Sequence, residues 1–323
     1  MRVWQTTKRA ALVSVLVAAG LGIGSSSGWA APVAINLCAT TGTATLAGGA
    51  SVPIWGFATT TTAGDCTAAI AGLPGPTLSV TEGDDVTIAV TNALPAGHPL
   101  SFEIPGITFN AGPTTADDGA TVTVSFTAVA PGTYLYSSGG SAGRQAAMGL
   151  SGAFLVRPAT ANQAYGATTA YDEEALLVLD AIDPAFNIAP DTFDMHAYRA
   201  TYWLINGKSY PDTAPGITAA AGQRLLLRYL NAGYDNTTML LLGMHQRVVA
   251  RDAHLLNAPF DANAETIPAG ATEDTIAVVP PGPGPSTHGY PLYNRQLHVT
   301  TGAQTGTSPD PAGGGGMLTF IHH

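Results

Sequence analysis

The stretch that decides the fold spans residues 73–95 and reads LPGPTLSVTEGDDVTIAVTNALP. Apolar and polar residues alternate over 77–80 and again over 86–90, on either side of a Glu-Gly-Asp turn at 82–84. This pattern predicts two half-buried strands joined as a hairpin. Similar strand patterns follow at 121–126, 132–136 and 152–156, and no segment has the 3.6-residue period of a long amphipathic helix. The sequence therefore predicts an antiparallel β-sandwich here.

The composition of the chain is poor in charge and rich in turn-forming residues. Charged residues make up 11 % of the chain, against about 25 % in an average globular domain. The 38 glycines and 23 prolines suit many short strands joined by turns. The formal net charge is −10, and no basic cluster interrupts it. We therefore expect no nucleic-acid partner.

The first thirty residues have the layout of a secretory signal peptide. Arg2, Lys8 and Arg9 precede an apolar run over 10–23, and small residues end the segment near Ala30. Removing residues 1–30 takes away these three cations and changes the net charge from −10 to −13. No other apolar stretch approaches the roughly 18 residues that a spanning helix needs. We expect a periplasmic or secreted protein with no membrane span after signal removal.

The chain has two cysteines, Cys38 and Cys66, both near the predicted mature N-terminus. A Gly/Thr-rich segment separates them. In an oxidising compartment, such a pair is expected to form one structural disulfide.

Three stretches resemble, in their order and intervals, the first cupredoxin domain of a multicopper oxidase. They are residues 73–95, PGTYLY at 131–136 and MGLSGAFLVRP at 148–158. Residues 205–207 (ING) and 222–233 (GQRLLLRYLNAG) are similar to parts of a further cupredoxin domain. The resemblance implies an all-β fold of two tandem cupredoxin-like Greek-key β-sandwiches. The expected boundaries are 1–30 for the signal peptide, 31–160 for the first domain, 161–174 for a linker and 175–323 for the second domain.

The residues expected to bind copper are absent from the places where the resemblance implies them. In this family a His-x-His pair lies on the strand after the first stretch, and another follows the GTY-x-Y strand. Here Glu103 and Pro105 stand at the first pair, and Ser137 and Gly139 stand at the second. The eight histidines include no His-x-His pair, and no cysteine follows Cys66 to supply a type 1 copper thiolate. We therefore expect no cofactor.

The glycine- and serine-rich residues 139–143 take the place of the histidine-bearing loop. We expect this loop to be flexible, with Arg144 and Gln145 open to a partner or a small ligand. A surface loop is the default for such a segment.

Copper at a relocated site is the alternative cofactor. His245, which follows Met244 in sequence, and His298 are the imidazoles to consider, because strands of one domain could bring them together. More commonly such a histidine is exposed or hydrogen-bonded.

Three functional hypotheses follow. The first is a non-catalytic binding or assembly scaffold whose surface holds a protein partner or other copies of the chain, since charge is depleted in interface cores. The second is a copper-dependent oxidoreductase with a reduced, relocated copper site. The third is a subunit of a hetero-oligomeric multicopper oxidase whose copper ligands lie on another chain.

Overall fold

The computed structural model describes residues 31–214, 216–299 and 315–323. The predicted signal peptide at 1–30 lies outside the described residues. Within them the chain forms four sheets, two built from strands before residue 160 and two from strands after residue 170. The predicted all-β class with tandem sandwiches is confirmed.

The first sandwich comprises nine strands in sheets of four and five strands, in the orders β2-β1-β4-β7 and β3-β9-β8-β5-β6. Apolar side chains from both sheets, among them Ile88, Phe102, Val124 and Phe154, fill one core between them. The strands are β1 (Pro32–Thr45), β2 (Ser51–Thr59), β3 (Leu78–Thr81), β4 (Asp85–Ala93), β5 (Leu100–Glu103), β6 (Thr115–Ala116), β7 (Thr121–Thr127), β8 (Gly132–Ser138) and β9 (Ser151–Arg157).

The turn at 82–84 does not form the predicted hairpin. β3 pairs in parallel with β9, whereas β4 pairs in parallel with β1 and antiparallel with β7. The turn carries the chain from one sheet to the other, and Gly83 supplies the positive φ of 93° that this requires. The hairpin prediction is wrong because alternation identifies a half-buried strand without identifying its neighbour. The first sandwich is therefore mixed rather than purely antiparallel.

The second sandwich consists of sheets of six and five strands, in the orders β11-β10-β13-β18-β15-β16 and β12-β20-β19-β14-β17. Its core includes Leu227, Tyr229, Leu241 and Leu292. The strands are β10 (Glu173–Ile182), β11 (Tyr202–Ile205), β12 (Ile217–Thr218), β13 (Arg224–Asn231), β14 (Thr237–Leu241), β15 (Gln246–Arg251), β16 (His254–Ala262), β17 (Ala264–Ile267), β18 (Thr272–Val278), β19 (Tyr290–Asn294) and β20 (Leu318–His322).

Helical structure is short and lies in the connections. Among the described residues there are two α-helices, α1 (Arg144–Ala147) and α2 (Pro184–Ile188), and 3-10 turns at Ala47–Gly49, Ala167–Thr169 and Met195–Ala197. None of the helices in the described ranges has the length and apolar character needed to cross a bilayer. Cys38 and Cys66 form the predicted disulfide, which ties β1 to the loop after β2.

Apolar packing joins the two sandwiches. Leu135 and Ala153 of the first sandwich form one buried cluster with Val178 and Leu230 of the second. Gly132 lies so close to the second sandwich that an added Cβ would be 2.5 Å from the Cβ of Ala253. The small residue at this position permits the close approach.

A buried ionic cluster lies in the same interface. Arg228 on β13 is 1 % exposed and pairs with Glu174 at 2.6 Å and with Asp274 at 3.2 Å. The hydroxyl of Thr133, on β8 of the first sandwich, donates to Asp274 Oδ1 at 2.7 Å. Arg157 of β9 also pairs with Glu174, at 2.7 Å. Although burial opposes it, the two guanidinium groups hold the pKa of Glu174 below its usual value. The cluster thus binds strands of both sandwiches together.

Candidate copper-site region

Strands β5 and β8 bring together three of the four positions where the family resemblance implies histidines. Glu103 and Ser137 face each other across the strand pair, and the Ser137 hydroxyl donates to Glu103 Oε1 at 3.2 Å. The main-chain N–H of Gly139 donates to Ser101 O at 3.0 Å. Pro105 lies past the end of β5 and is exposed. Three of the positions therefore form one patch, which contains no imidazole.

Behind this patch lies a buried pair, formed by Ser138 and Gln145, which was not predicted from the sequence. Both residues are 0 % exposed. The Ser138 hydroxyl donates to Gln145 Oε1 at 2.5 Å and accepts from Ser101 N at 3.0 Å. Gln145 Nε2 donates to Pro99 O at 3.1 Å. This pair connects the loop after β8 to β5 and to the residues just before it.

One feature of the sequence does place Ser138 in this position. Tyr134 and Tyr136 of β8 belong to the first core, and alternate residues of a strand share a face. Ser138 continues that face, so a hydroxyl there must be hydrogen-bonded inside the protein. Gln145 carries no comparable sequence signal, because its burial depends on how the loop folds back.

The loop at 139–143 differs from the sequence prediction. Gly140 packs so closely on the buried pair that an added Cβ would lie 2.4 Å from Gln145 Oε1. Gln145 is buried rather than open to a ligand. The Arg144 guanidinium donates to Pro190 O at 2.7 Å and to Phe193 O at 3.0 Å. Both side chains that were expected to face a partner are therefore used in internal contacts.

The carbonyls that Arg144 contacts belong to a segment of the second sandwich, residues 183–201 between β10 and β11, here called the cover segment. Its Phe186 and Tyr198 are buried in the core of the first sandwich. Asp191 Oδ1 lies 3.5 Å from Nε2 of His98, whose ring packs on Trp55 at a centroid distance of 4.6 Å. The cover segment thus closes over the residues around β5 and α1.

The residues in this region do not fit a copper ion. Copper sites in proteins are built mainly from imidazole, thiolate and thioether groups. Glu103 and Ser137 offer only oxygen, and Pro105 and Gly139 have no side-chain donor. The hydroxyl and amide of the buried pair already have protein partners. In the part of the chain that the structure describes, no three His, Cys, Asp or Glu side chains are grouped to hold a metal.

The second sandwich separates the two histidines considered for a relocated site. β14 pairs antiparallel with β19, with Met239 opposite Asn294 and Leu241 opposite Leu292. With this register, the end of β19 lies beside the start of β14, and His298 follows β19 at that end. His245 follows β14 at its opposite end. The structure does not bring the two imidazoles together.

Each of these candidates has its own local environment. The His298 ring stacks on Trp203 at a centroid distance of 4.4 Å, and burial lowers the pKa of its imidazole. Met244 is 4 % exposed and belongs to the second core, whereas His245 is exposed beside it. Adjacent side chains thus point to different environments, as expected for residues entering a strand.

Known copper proteins are similar to this chain in sequence. The profile of a multicopper oxidase family matches residues 59–161. The copper-containing nitrite reductase of Alcaligenes xylosoxydans xylosoxydans is 28 % identical over 274 residues, which is 77 % of this chain and 81 % of that protein.

Solved structures share the fold at lower identity. The blue copper oxidase of Nitrosomonas europaea superposes with a TM-score of 0.72 at 22 % identity, over 90 % of this chain and 86 % of that chain. The copper nitrite reductase of the same organism gives 0.66 at 18 % identity, over 90 % and 93 %.

Proposed function

We propose that this chain belongs to the multicopper oxidase superfamily and uses the tandem cupredoxin-like sandwiches without the family's copper centres, as a non-catalytic binding or assembly scaffold. The Ser138–Gln145 pair is the observation that carries the proposal. The two side chains fill the buried space behind Glu103 and Ser137. They are hydrogen-bonded to each other, to Ser101 of β5 and to Pro99 just before it.

Hydrogen-bond energetics support a structural role for this region. A buried hydroxyl or amide that loses its partner costs roughly 1–3 kcal/mol. A metal ion entering between β5 and α1 would have to break at least the Ser138–Gln145 bond and the Gln145–Pro99 bond. It would gain only oxygen donors in exchange, the hydroxyls, the amide and the Glu103 carboxylate, and none of the imidazole, thiolate or thioether groups that hold copper in proteins. The region therefore favours the closed, metal-free arrangement.

Export and partner binding are parts of the same proposal. The signal-like N-terminal sequence supports a periplasmic or secreted location. Low charge and nine exposed large apolar side chains among the described residues suit a surface that packs against a protein partner or a second copy. The partner is then held by the outside of the sandwiches, and the former copper region serves as a fixed internal support.

A copper enzyme is the second candidate, because one relative is a copper-containing nitrite reductase with 28 % identity. A copper site within one chain is less well supported, since His245 lies beyond one end of the β14–β19 strand pair and His298 lies beyond the other. A copper site that includes ligands from another chain is compatible with this arrangement.

An activity and assembly experiment separates these functions. Mature protein, purified from an exporting host grown with added copper, would be assayed for nitrite reduction and for oxidation of a phenolic dye. Its size would be measured by light scattering, and chemical crosslinking in the host would capture partners. The relative from Alcaligenes xylosoxydans xylosoxydans, prepared in parallel, is the positive control. We expect no turnover, together with a defined oligomer or one reproducible partner. Turnover comparable to the control, or a monomer that captures nothing, would contradict the scaffold.

A further inference from the structure

The outer face of the six-stranded sheet carries a groove lined by two arginines, by the aspartate that pairs with one of them and by apolar side chains. Two adjoining cavities of about 440 and 370 Å³ share Arg224, Arg247 and Ile276 as lining residues. Cavities of roughly 300–1,000 Å³ are typical of small-molecule sites. We call this feature the arginine groove.

Strand register explains the form of the arginine groove. Arg224 on β13 lies opposite Val278 of β18, and Arg247 on β15 lies opposite Ile276 of the same strand. β18 runs between β13 and β15, so its side chains form the floor while the two arginines stand on either side. Val278, the last residue of β18, is 55 % exposed. The floor is therefore apolar, with Ile276 buried and Val278 open to solvent between the two cations.

The guanidinium groups of Arg224 and Arg247 have N–H donors that no described residue accepts. Arg224 Nε donates to Ala170 O at 2.6 Å, which fixes the guanidinium, and its terminal nitrogens have no hydrogen bond or ion pair with the described residues. Arg247 pairs with Asp261 at 3.1 Å in an exposed ion pair. His245 lines the same cavity, with no side-chain hydrogen bond in the described ranges. The acidic groups nearest to Arg224 include Asp172, which accepts from its main-chain N–H at 2.8 Å.

We propose that the arginine groove binds a small organic anion with an apolar body, such as a carboxylate or sulfonate carried on an aromatic or aliphatic group. The planar guanidinium matches such anions with two parallel hydrogen bonds. The apolar body lies on Val278 and removes its exposed side chain from water. The net charge of the chain, −10, repels anions over the surface as a whole, so the attraction has to come locally from the two guanidinium groups. The proposal goes beyond the scaffold function and holds whether or not copper is bound.

Calorimetric titration of the mature protein with 8-anilinonaphthalene-1-sulfonate tests the proposal at low ionic strength. The neutral analogue N-phenyl-1-naphthylamine reports what the apolar body contributes alone. We expect one saturable sulfonate site per chain, and binding of the neutral analogue at least tenfold weaker. Arg224→Gln should weaken sulfonate binding at least tenfold. Arg295→Gln makes the same change of charge at an exposed position outside the groove and should leave binding within twofold.

A second variant keeps the test valid if Arg224→Gln disturbs the contact with Ala170. Val278→Asp places a carboxylate on the exposed floor and should also weaken sulfonate binding at least tenfold, while the unfolding midpoint stays close to that of the unchanged protein. Equal binding of the sulfonate and the neutral analogue would overturn the proposal. Equal affinity of Val278→Asp, Arg295→Gln and the unchanged protein would also overturn it, since the sulfonate would then sit elsewhere.

Discussion

The hydroxyl of Ser138 lies 2.5 Å from Oε1 of Gln145, and both side chains are completely buried. This contact joins the end of a core strand to a four-residue helix that the Gly/Ser-rich loop leads into. The contact packs a Gly/Ser-rich loop against the first sandwich. The cover segment of the second sandwich holds the same loop through the hydrogen bond from Arg144 to Pro190 O. The region where the family resemblance implies copper is thus built as a structural joint.

The first prediction concerns the strength of this joint. Ser138→Ala leaves Gln145 Oε1 and the Ser101 N–H without their partner inside the protein, so it should lower the free energy of unfolding by about 1–3 kcal/mol. Urea unfolding followed by tryptophan fluorescence measures the change. Thr108→Ala removes an exposed hydroxyl that has no hydrogen bond in the described structure, and it should change stability by less than about 0.5 kcal/mol. Equal effects of the two substitutions would contradict the role given to Ser138.

The second prediction concerns the ionic cluster between the sandwiches. Arg228→Met removes the cation that Asp274 faces at 3.2 Å, where both side chains are 1 % exposed. Breaking a buried pair by removing one partner costs about 3–5 kcal/mol. Arg247→Met breaks the exposed pair with Asp261 and should cost less than about 1 kcal/mol.

Denaturant unfolding of the two variants gives the comparison. If Arg228→Met cost no more than Arg247→Met, the cluster would not hold the sandwiches together. Replacing Asp274 by Asn in the Arg228→Met background should recover part of the loss, because the uncompensated buried charge is then removed.

The third prediction concerns the pH dependence of stability. Asp180 on β10 is 5 % exposed, its carboxylate accepts a hydrogen bond only from Ala181 N among the described residues, and burial raises its pKa from 3.8 to about 7. The folded chain therefore holds this proton at pH values where the unfolded chain has released it. The resulting stability is fully present below about pH 4 and is lost as the pH rises through about 7.

Asp180→Asn removes this titration and keeps the shape of the side chain. Between pH 5 and pH 8 the free energy of unfolding should fall by about 3 kcal/mol less in the variant than in the unchanged protein. Burial also raises the pKa of Glu273 to about 7, so a fall of the same sign remains in the variant. Asp117→Asn, at an exposed turn, should keep the full fall. Identical pH profiles for all three proteins would contradict the assignment to Asp180.

The class of fold was predictable from sequence because alternation and turn residues are local properties. The strands at 121–126, 132–136 and 152–156 fall within β7, β8 and β9. Partners of strands are not local, which is why the turn at 82–84 suggested a hairpin although β3 and β4 belong to different sheets. The Cys38–Cys66 disulfide was predictable because the chain offers one pairing only.

The site was predictable only in part. The absence of histidine at positions 103, 105, 137 and 139 can be read from the sequence, whereas the groups that fill the space behind them depend on tertiary contacts. Gln145 is predicted at the surface because it follows the Gly/Ser-rich residues 139–143, whereas its burial comes from the closure of this loop over β5. The cover segment contacts Arg144 from 46 residues away in sequence, a separation that no local pattern encodes.

The most direct test of the central claim is the copper content of the exported mature protein. The protein would be produced in copper-supplemented medium, dialysed against a weak chelator and measured by elemental analysis, with the copper nitrite reductase relative as the loaded control. The account predicts essentially no copper per chain while the control retains its metal. One or more copper ions retained per chain would contradict it, because the protein would then bind copper although the groups around Ser138 and Glu103 are hydrogen-bonded oxygens.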